Sequence, residues 1–382
     1  MNKSLIGLRE APCPPVYSGT AESVKKLIAY LINAGAQAPS WYNCQPWKFA
    51  ATDNAIDIIL DCSRDQSFYD WGHFNSLLAC GAALKNIQLA AKCRGIQTFT
   101  HFSPNAADQA IVARIGLTFE NPSPPHAIDL ATEQCIWTRH TNTLLFENTP
   151  LANNEWNSLI TSINSDSGLS LHLLSSAADK EKVFSAAACA EQLRFSRREL
   201  HEQLHRMIRW NDQQARADKT GYTLPSMGAC GFGKSFFRIT KPWKMMQLMN
   251  CFGAYKNQAQ RACQGLTHCA AIGLLTVKGQ TSQDLLSGGV ALQDIWLKTT
   301  ALGLDLQAHN AILQFYWAWR LGGAKLYSVK EQQILETAFQ LLAESFPSIN
   351  FDNGEMGVFL FRVGRGPSVH GYTLRQDSTY ST

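Results

Sequence analysis

The order of apolar and polar positions divides the chain into elements before any chemistry is considered. The run V-K-K-L-I-A-Y-L-I-N-A, beginning near Ala21, repeats apolar residues at three- and four-residue spacing and predicts a helix that stops before Pro39. From Trp47 to Asp61 two β-type runs flank Asp53-Asn54, the pattern of a hairpin. A long helix is expected from about Phe74 to Cys93, then β-like segments at about 96–102 and 110–120, and N-P-S-P-P-H (Asn121 to His126) reads as a linker. The second half restarts the scheme with a helix over 152–164, a short strand over 170–175 and a long helix over about 177–215. Residues 219–266 read as irregular and rich in Gly and aromatics. An apolar strand at 269–277, helices at 286–302 and 329–345, and a last strand at 357–363 precede a polar tail.

One helix is echoed. Gly81, Ala83, Leu84, Ile87, Leu89 and Gly95 line up with Gly289, Ala291, Leu292, Ile295, Leu297 and Gly303. Two amphipathic helices that end in Gly share some of this by construction. The fuller reading is two copies of one α+β unit in a single chain, related by a pseudo-twofold axis.

Composition narrows the class. Of 382 residues, 45% are hydrophobic and 17% charged, against about 25% charged in an average globular protein, so the chain can bury a large core. A formal net charge of +4 is too mild to imply a nucleic-acid partner. Eleven cysteines, scattered singly with no C-x-x-C pair, read as reduced and mostly buried thiols. No apolar run is long enough to span a bilayer, and the first residues carry no apolar signal core. The expectation is a cytoplasmic protein with neither membrane nor nucleic acid as partner.

Two motifs fail on context. Gly228-A-C-G-F-G-K-Ser235 fits the phosphate-loop pattern, but no buried strand precedes it and Pro242 follows closely. His201-E-Q-L-His205 has the spacing of a zinc-hydrolase helix with Glu202 as base, yet no Glu occurs from Gln203 to Lys330 and no His between His205 and His268. The expected metal content is none, and a zinc hydrolase using His201, Glu202 and His205 is the weakest of three functional readings.

The segment A-P-S-W-Y-N-C-Q-P-W-K-F, Ala38 to Phe49, is a polar loop stiffened by Pro39 and Pro46 that offers Ser40, Asn43 and Gln45 on a fixed backbone. It suits the edge of a planar heteroaromatic ring, or it is a capped turn with Trp41 and Trp47 as core. This loop resembles the signature of the nitroreductase-like flavoprotein family. Arg139-H-T-N-T-L-L-F resembles that family's FMN-binding entry segment in Arg139, His140 and Thr141, with Thr143 where a basic residue is expected. The turn Gly303 to Asn310, with Gln307, resembles the segment beside flavin N5. F-R-V-G-R-G-P with Arg375 downstream resembles the end that reaches the FMN phosphate.

The resemblance implies an α+β nitroreductase-like fold with a mainly antiparallel sheet in each of two units, residues 1–126 and 127–382, packed as an internal pseudo-dimer like the single-chain Acg-like branch. It further implies bound FMN held by Pro39, Ser40, Asn43, Gln45, Arg139, His140, Thr141, Gln307 and Arg375. The first functional reading is an FMN-dependent oxidoreductase with NAD(P)H as donor and no side-chain acid or base assigned. The second is a protein that sequesters FMN. Only one composite site retains its groups, which predicts one FMN per chain and a monomer. From Lys219 to Gln283 there is no acidic residue and there are eight basic ones. This stretch is either a lid (about 219–266) that attracts an anionic small-molecule substrate or an insertion whose lysines snorkel around a small aromatic core.

Overall fold

A computed structural model describes residues 9–381 apart from 104–109, 120–125, 164–167, 230, 352–353 and 370, so the expected linker lies almost wholly outside the described residues. The first unit opens with α1 (Ala21–Ala36), capped by the Thr20 side chain, and the hairpin β1 (Trp47–Thr52) and β2 (Ala55–Leu60). Trp47, Phe49 and Ala51 face inward on alternate positions of β1, as a half-buried strand requires. Next come α2 (Phe74–Lys92), β3 (Gln97–Phe102) and β4 (Ile111–Thr118); α3 (Ala127–Thr138) follows past the expected boundary at residue 126 and contacts both α2 and the later helix Ser282–Ala301.

The second unit contains α4 (Asn153–Ile160), β5 (Leu169–Leu174), α5 (Ala177–Ser196), α6 (Arg198–Met207), β6 (Ile208–Arg209), α7 (Asp212–Asp218) and β7 (Tyr222–Thr223). Then follow α8 (Phe232–Thr240), α9 (Trp243–Asn250), α10 (Ala254–Cys263), β8 (Ala271–Lys278), α11 (Ser282–Ala301) and β9 (Asp305–Ala308). The chain closes with α12 (Ala311–Ala318), α13 (Val329–Ser345), β10 (Glu355–Gly364) and β11 (Tyr380–Ser381).

The two main sheets share one topology. The first runs β1-β2-β4-β3 and the second β5-β8-β10-β9, with every one of these neighbours antiparallel. The fold is therefore α+β with two copies of one unit. In the first copy Asp53-Asn54 joins the first two strands, and in the second copy everything from α5 to α10 occupies that connection. The tail does not stay with the second unit: β11 pairs in parallel with β1, Tyr380 opposite Phe49.

The units meet along α2 and α11, and the meeting is reciprocal. A Cβ placed on Gly81 would lie 2.1 Å from the carbonyl oxygen of Leu286, and one on Gly289 would lie 2.1 Å from that of Leu78. Leu78 and Leu286 each stand three residues ahead of their own glycine. Further along, Gln293 Nε2 donates to Asn86 Oδ1 at 2.7 Å and Lys85 pairs with Asp294 at 2.7 Å, the same two helix positions taken in both directions. The echo between the two helices is thus the contact that relates them.

Three expectations need correction. The long helix over 177–215 is three helices: Arg197 adopts extended backbone, with its guanidinium 4.8 Å from the Phe68 ring centre and donating to the Leu326 carbonyl. A second break at Ile208 lets two residues pair with Tyr222-Thr223, and Asn211 caps the next helix. The irregular stretch 219–266 contains α8, α9 and α10, built on a small core of Phe195, Met246 and Ala259 with Phe236, Trp243 and Tyr255 around it. The turn at 303–310 contains β9, and α3 and α12 were not anticipated.

Gly81→Ala and Gly289→Ala are each expected to destabilise the protein by about 1–3 kcal/mol or more, because a rigid backbone oxygen occupies the added methyl's place. Denaturant unfolding measures this. Losses under about 0.5 kcal/mol for both would disprove the close crossing.

Candidate functional site

The loop from Ser40 to Pro46 is held in an unfavourable backbone conformation. Tyr42, Asn43 and Gln45 have φ of 51°, 53° and 54°. The left-handed region costs a residue with a Cβ about 1–2 kcal/mol, so the surroundings must fix the loop. They do so from within the loop and from two distant parts of the chain, residues 219–222 and 374–376. Ser40 Oγ accepts from Gln45 N at 2.9 Å, and Tyr42 N donates to Tyr222 Oη at 3.0 Å. Asn43 donates to the Leu374 carbonyl at 2.9 Å and accepts from Arg375 Nη1 at 2.7 Å. Gln45 donates to the Lys219 carbonyl at 2.9 Å and accepts from Gln376 N at 2.8 Å.

Beside the loop, three guanidinium groups converge on one carbonyl oxygen. Arg9, Arg139 and Arg375 reach the Gln37 oxygen at 3.3, 3.3 and 3.4 Å, and Arg9 also donates to the Arg139 carbonyl. Gln37 caps the C-terminal end of α1, where the partial negative charge of the helix favours cations. That fraction of a charge does not balance three. Among the described residues none of the three arginines has a carboxylate partner, and each leaves its Nε without a hydrogen bond. Burial pushes the Arg9 guanidinium down to about 10. Burial, and then the neighbouring arginines, push Arg139 well below its ordinary value, and burial followed by Arg9 does the same to Arg375. Such a cluster is what a multiply charged anion with several acceptor oxygens would neutralise.

The arginines stand at one side of a cavity of about 560 Å³, within the ordinary range for small-molecule sites. Its floor comes from both units: Leu78 and Ala79 on α2, Leu292 and Trp296 on α11. The Arg139 guanidinium lies 4.5 Å from the Trp296 ring centre. Pro39, Ser40 and Asn43 form part of the wall, with Arg139, His140, Thr141, Gln307 and Arg375. His140 Nε2 is 3.2 Å from Asp305, and Gln307 accepts from the buried Arg362 at 2.8 Å. Gln45 is not part of the wall: it is buried behind the loop with its amide engaged by the insertion and the tail.

The sequence pattern assigned no role to Arg9 or to Trp296, both of which line the cavity. It also did not foresee that Arg194, anchored by Glu191 at 3.0 Å and Tyr69 at 3.1 Å, reaches the cavity. The insertion contributes Tyr222, Met227, Phe236 and Phe237 to the wall. The signal available for Arg9 was only a basic residue in a Pro-rich arm.

Neither rejected motif has the setting its chemistry needs, although Gly228, Ala229 and Gly233 of the first and Leu204 of the second line the cavity. In Gly228–Ser235, Gly233, Lys234 and Ser235 are already in the short helix α8, and the nearest preceding strand is the two-residue β7. His201 and His205 are buried with ring centres 4.1 Å apart, donating to the carbonyls of Lys241 and His201. Burial and the adjacent His205 push His201 down to about 4, so both the setting and the charge state suit a packed neutral pair.

No family model matches the chain. An uncharacterized protein of Mycobacterium tuberculosis, MT1398, is 22% identical over 79% of this chain, which spans 41% of that relative's length. A probable NAD(P)H nitroreductase of Serratia, PigM, is 23% identical over 77% of this chain and 82% of its own. The putative NAD(P)H nitroreductase Acg of M. tuberculosis is 30% identical over 89 residues, 23% of this chain and 27% of that protein. In sequence the chain is thus similar to proteins named as NAD(P)H nitroreductases, the similarity that the Ala38–Phe49 loop implied.

Gln45→Ala strands the Gln376 amide and leaves the Lys219 carbonyl only the longer bond from Asn43 at 3.3 Å, a cost of about 1–3 kcal/mol, and is expected to release the tail. Limited proteolysis after residue 365 should accelerate. An unchanged cleavage rate would show that the tail is held by other contacts.

Proposed function

We propose that the cavity binds FMN and that the protein is an FMN-dependent oxidoreductase exchanging hydride between NAD(P)H and a small organic substrate. The observation that carries this is the three-arginine cluster at Gln37: an unneutralised cationic pocket, with Arg139 buried and Arg9 and Arg375 half-buried, beside a cavity of about 560 Å³. The donor set fits the group. Arg9, Arg139 and Arg375 would hold the phosphate. Ser40, Asn43, His140, Thr141 and Gln307 offer short polar groups for the ribityl chain and ring edge, and Leu78, Ala79, Leu292 and Trp296 provide apolar surface for the ring system. When bound, the flavin supplies the hydride chemistry. The chain's own part is to neutralise the phosphate, fix the ring and exclude water. No side chain is assigned as an acid or base.

A second reading has one specific support. The insertion stands against the cavity through Tyr222, Met227, Phe236 and Phe237, and Tyr222 Oη is bonded to the loop itself. A cover fastened in this way suits a protein that keeps FMN enclosed and turns over little. Anaerobic reduction by NADPH or NADH separates the two: bleaching of the flavin absorbance supports the oxidoreductase, and persistent oxidised flavin supports sequestration.

Asn43→Ala, Arg139→Ala and Arg9→Ala are each expected to lower FMN occupancy, with about 1–3 kcal/mol lost per contact. Released-flavin fluorescence reads the result, and unchanged occupancy in all three would refute the site. Lys234→Ala, in the phosphate-loop look-alike, should keep its flavin.

The pseudo-twofold position of Trp296 is held by Gln88, whose amide donates to Thr100 at 3.1 Å, so the two sides of the helix pair are not equivalent. One FMN per chain and a monomer are expected. Flavin absorbance against protein concentration, with light scattering, checks both, and two flavins per chain would overturn the single-site reading.

A further inference from the structure

The insertion has an outer face that the cavity does not use. Along α9 and the turn after it, Met245, Leu248 and Phe252 project to solvent at 40%, 56% and 85% exposure, spaced so that they share one helix face. Ile239 at the end of α8 is 57% exposed. Two exposed lysines flank the row: Lys244 stands beside Met245 in α9 and Lys256 lies in the first turn of α10, while Lys241 is turned onto the Trp210 ring, 4.9 Å from its centre. No carboxylate occurs from Lys219 to Gln283, and among the described residues Lys244 and Lys256 make no ion pair. A monomeric surface seldom places large apolar side chains at such exposure in a row without a use for them.

We propose that this face docks on the headgroup layer of an anionic phospholipid bilayer. Exposed Phe, Leu and Met seat in the interface while the flanking lysines meet lipid phosphates, the pattern of a basic amphipathic surface element. The inward face decides against a groove-type protein partner. Met246, Trp243 and Tyr255 already pack with Phe195 and Ala259, so α9 can be laid on a surface but not engulfed. Nucleic acid would use the lysines but leaves Phe252 and Leu248 without a role. A spanning helix is not needed, and none of the described helices is long and apolar enough to be one.

The test is flotation of the full-length purified protein with vesicles of phosphatidylcholine alone and of phosphatidylcholine with phosphatidylglycerol. Binding is expected to the second only, and to be lost near 1 M salt, where screening acts within about 3 Å. Lys244→Gln and Lys256→Gln should each weaken it about fivefold, and Phe252→Ser with Leu248→Ser should abolish it while the melting temperature and flavin content stay unchanged. Failure to bind anionic vesicles at low salt overturns the proposal. So does vesicle binding that survives the two serine substitutions, which would mark a polyanion patch of the kind nucleic acid uses. A self-association that those substitutions dissolve, without vesicle binding, would assign the face to a second copy of this chain and also overturn it.

Discussion

The backbone-to-backbone crossing of α2 and α11 is the constraint on which the rest of the molecule depends. With no side chain at Gly81 or Gly289, each helix presses its neighbour's carbonyl directly, and the buried Asn86–Gln293 bond and the Lys85–Asp294 pair lock the register. Each unit closes its core on the other's central helix. The cavity exists because the two helices, fixed at that separation, supply its floor from both sides: Leu78 and Ala79 from one, Leu292 and Trp296 from the other. A shared contact of this kind makes one chain behave as a closed dimer.

On that floor the site is assembled under strain and under charge. The Ser40–Pro46 loop holds three residues in the left-handed region, and its hydrogen bonds run to Tyr222 and Lys219 in the insertion and to Leu374, Arg375 and Gln376 in the tail. The same tail returns to the first sheet through β11, which brings Arg375 beside Arg9 and Arg139. Strain in the loop and repulsion among the arginines are tolerated because they are tied to one network. Backbone outliers gathered at a cavity are the usual mark of a functional region.

The insertion replaces a two-residue turn with the whole stretch from α5 to α10. Its inner side gives the cavity aromatic and thioether groups, and its outer side gathers unpaired lysines around exposed apolar tips. Cover and outer surface belong to one piece of chain anchored on Phe195 and Met246, so movement of one face must carry the other.

Local pattern in the sequence was enough for α1, the β1–β2 hairpin, α2, β8, α11, α13 and β10, because each has a strong period or a continuous apolar run bounded by turn residues. The echo of Gly81 in Gly289 made the duplicated unit legible, and the Ala38–Phe49 loop made the nitroreductase-like resemblance legible. Other features needed the folded chain. The break at Arg197 follows from a guanidinium stacking on Phe68, a residue far away in sequence. The helices of 232–263 form around a satellite core that no single segment encodes. Arg9 gains its meaning only when the arm that carries it meets the end of α1, and Gln45 turns out to brace the loop from behind the wall. Period and composition determine which segments are helix or strand, since that depends on neighbours a few residues away. Which buried charges meet, and which polar side chain faces the cavity, depends on contacts across hundreds of residues, and only the tertiary structure decides those.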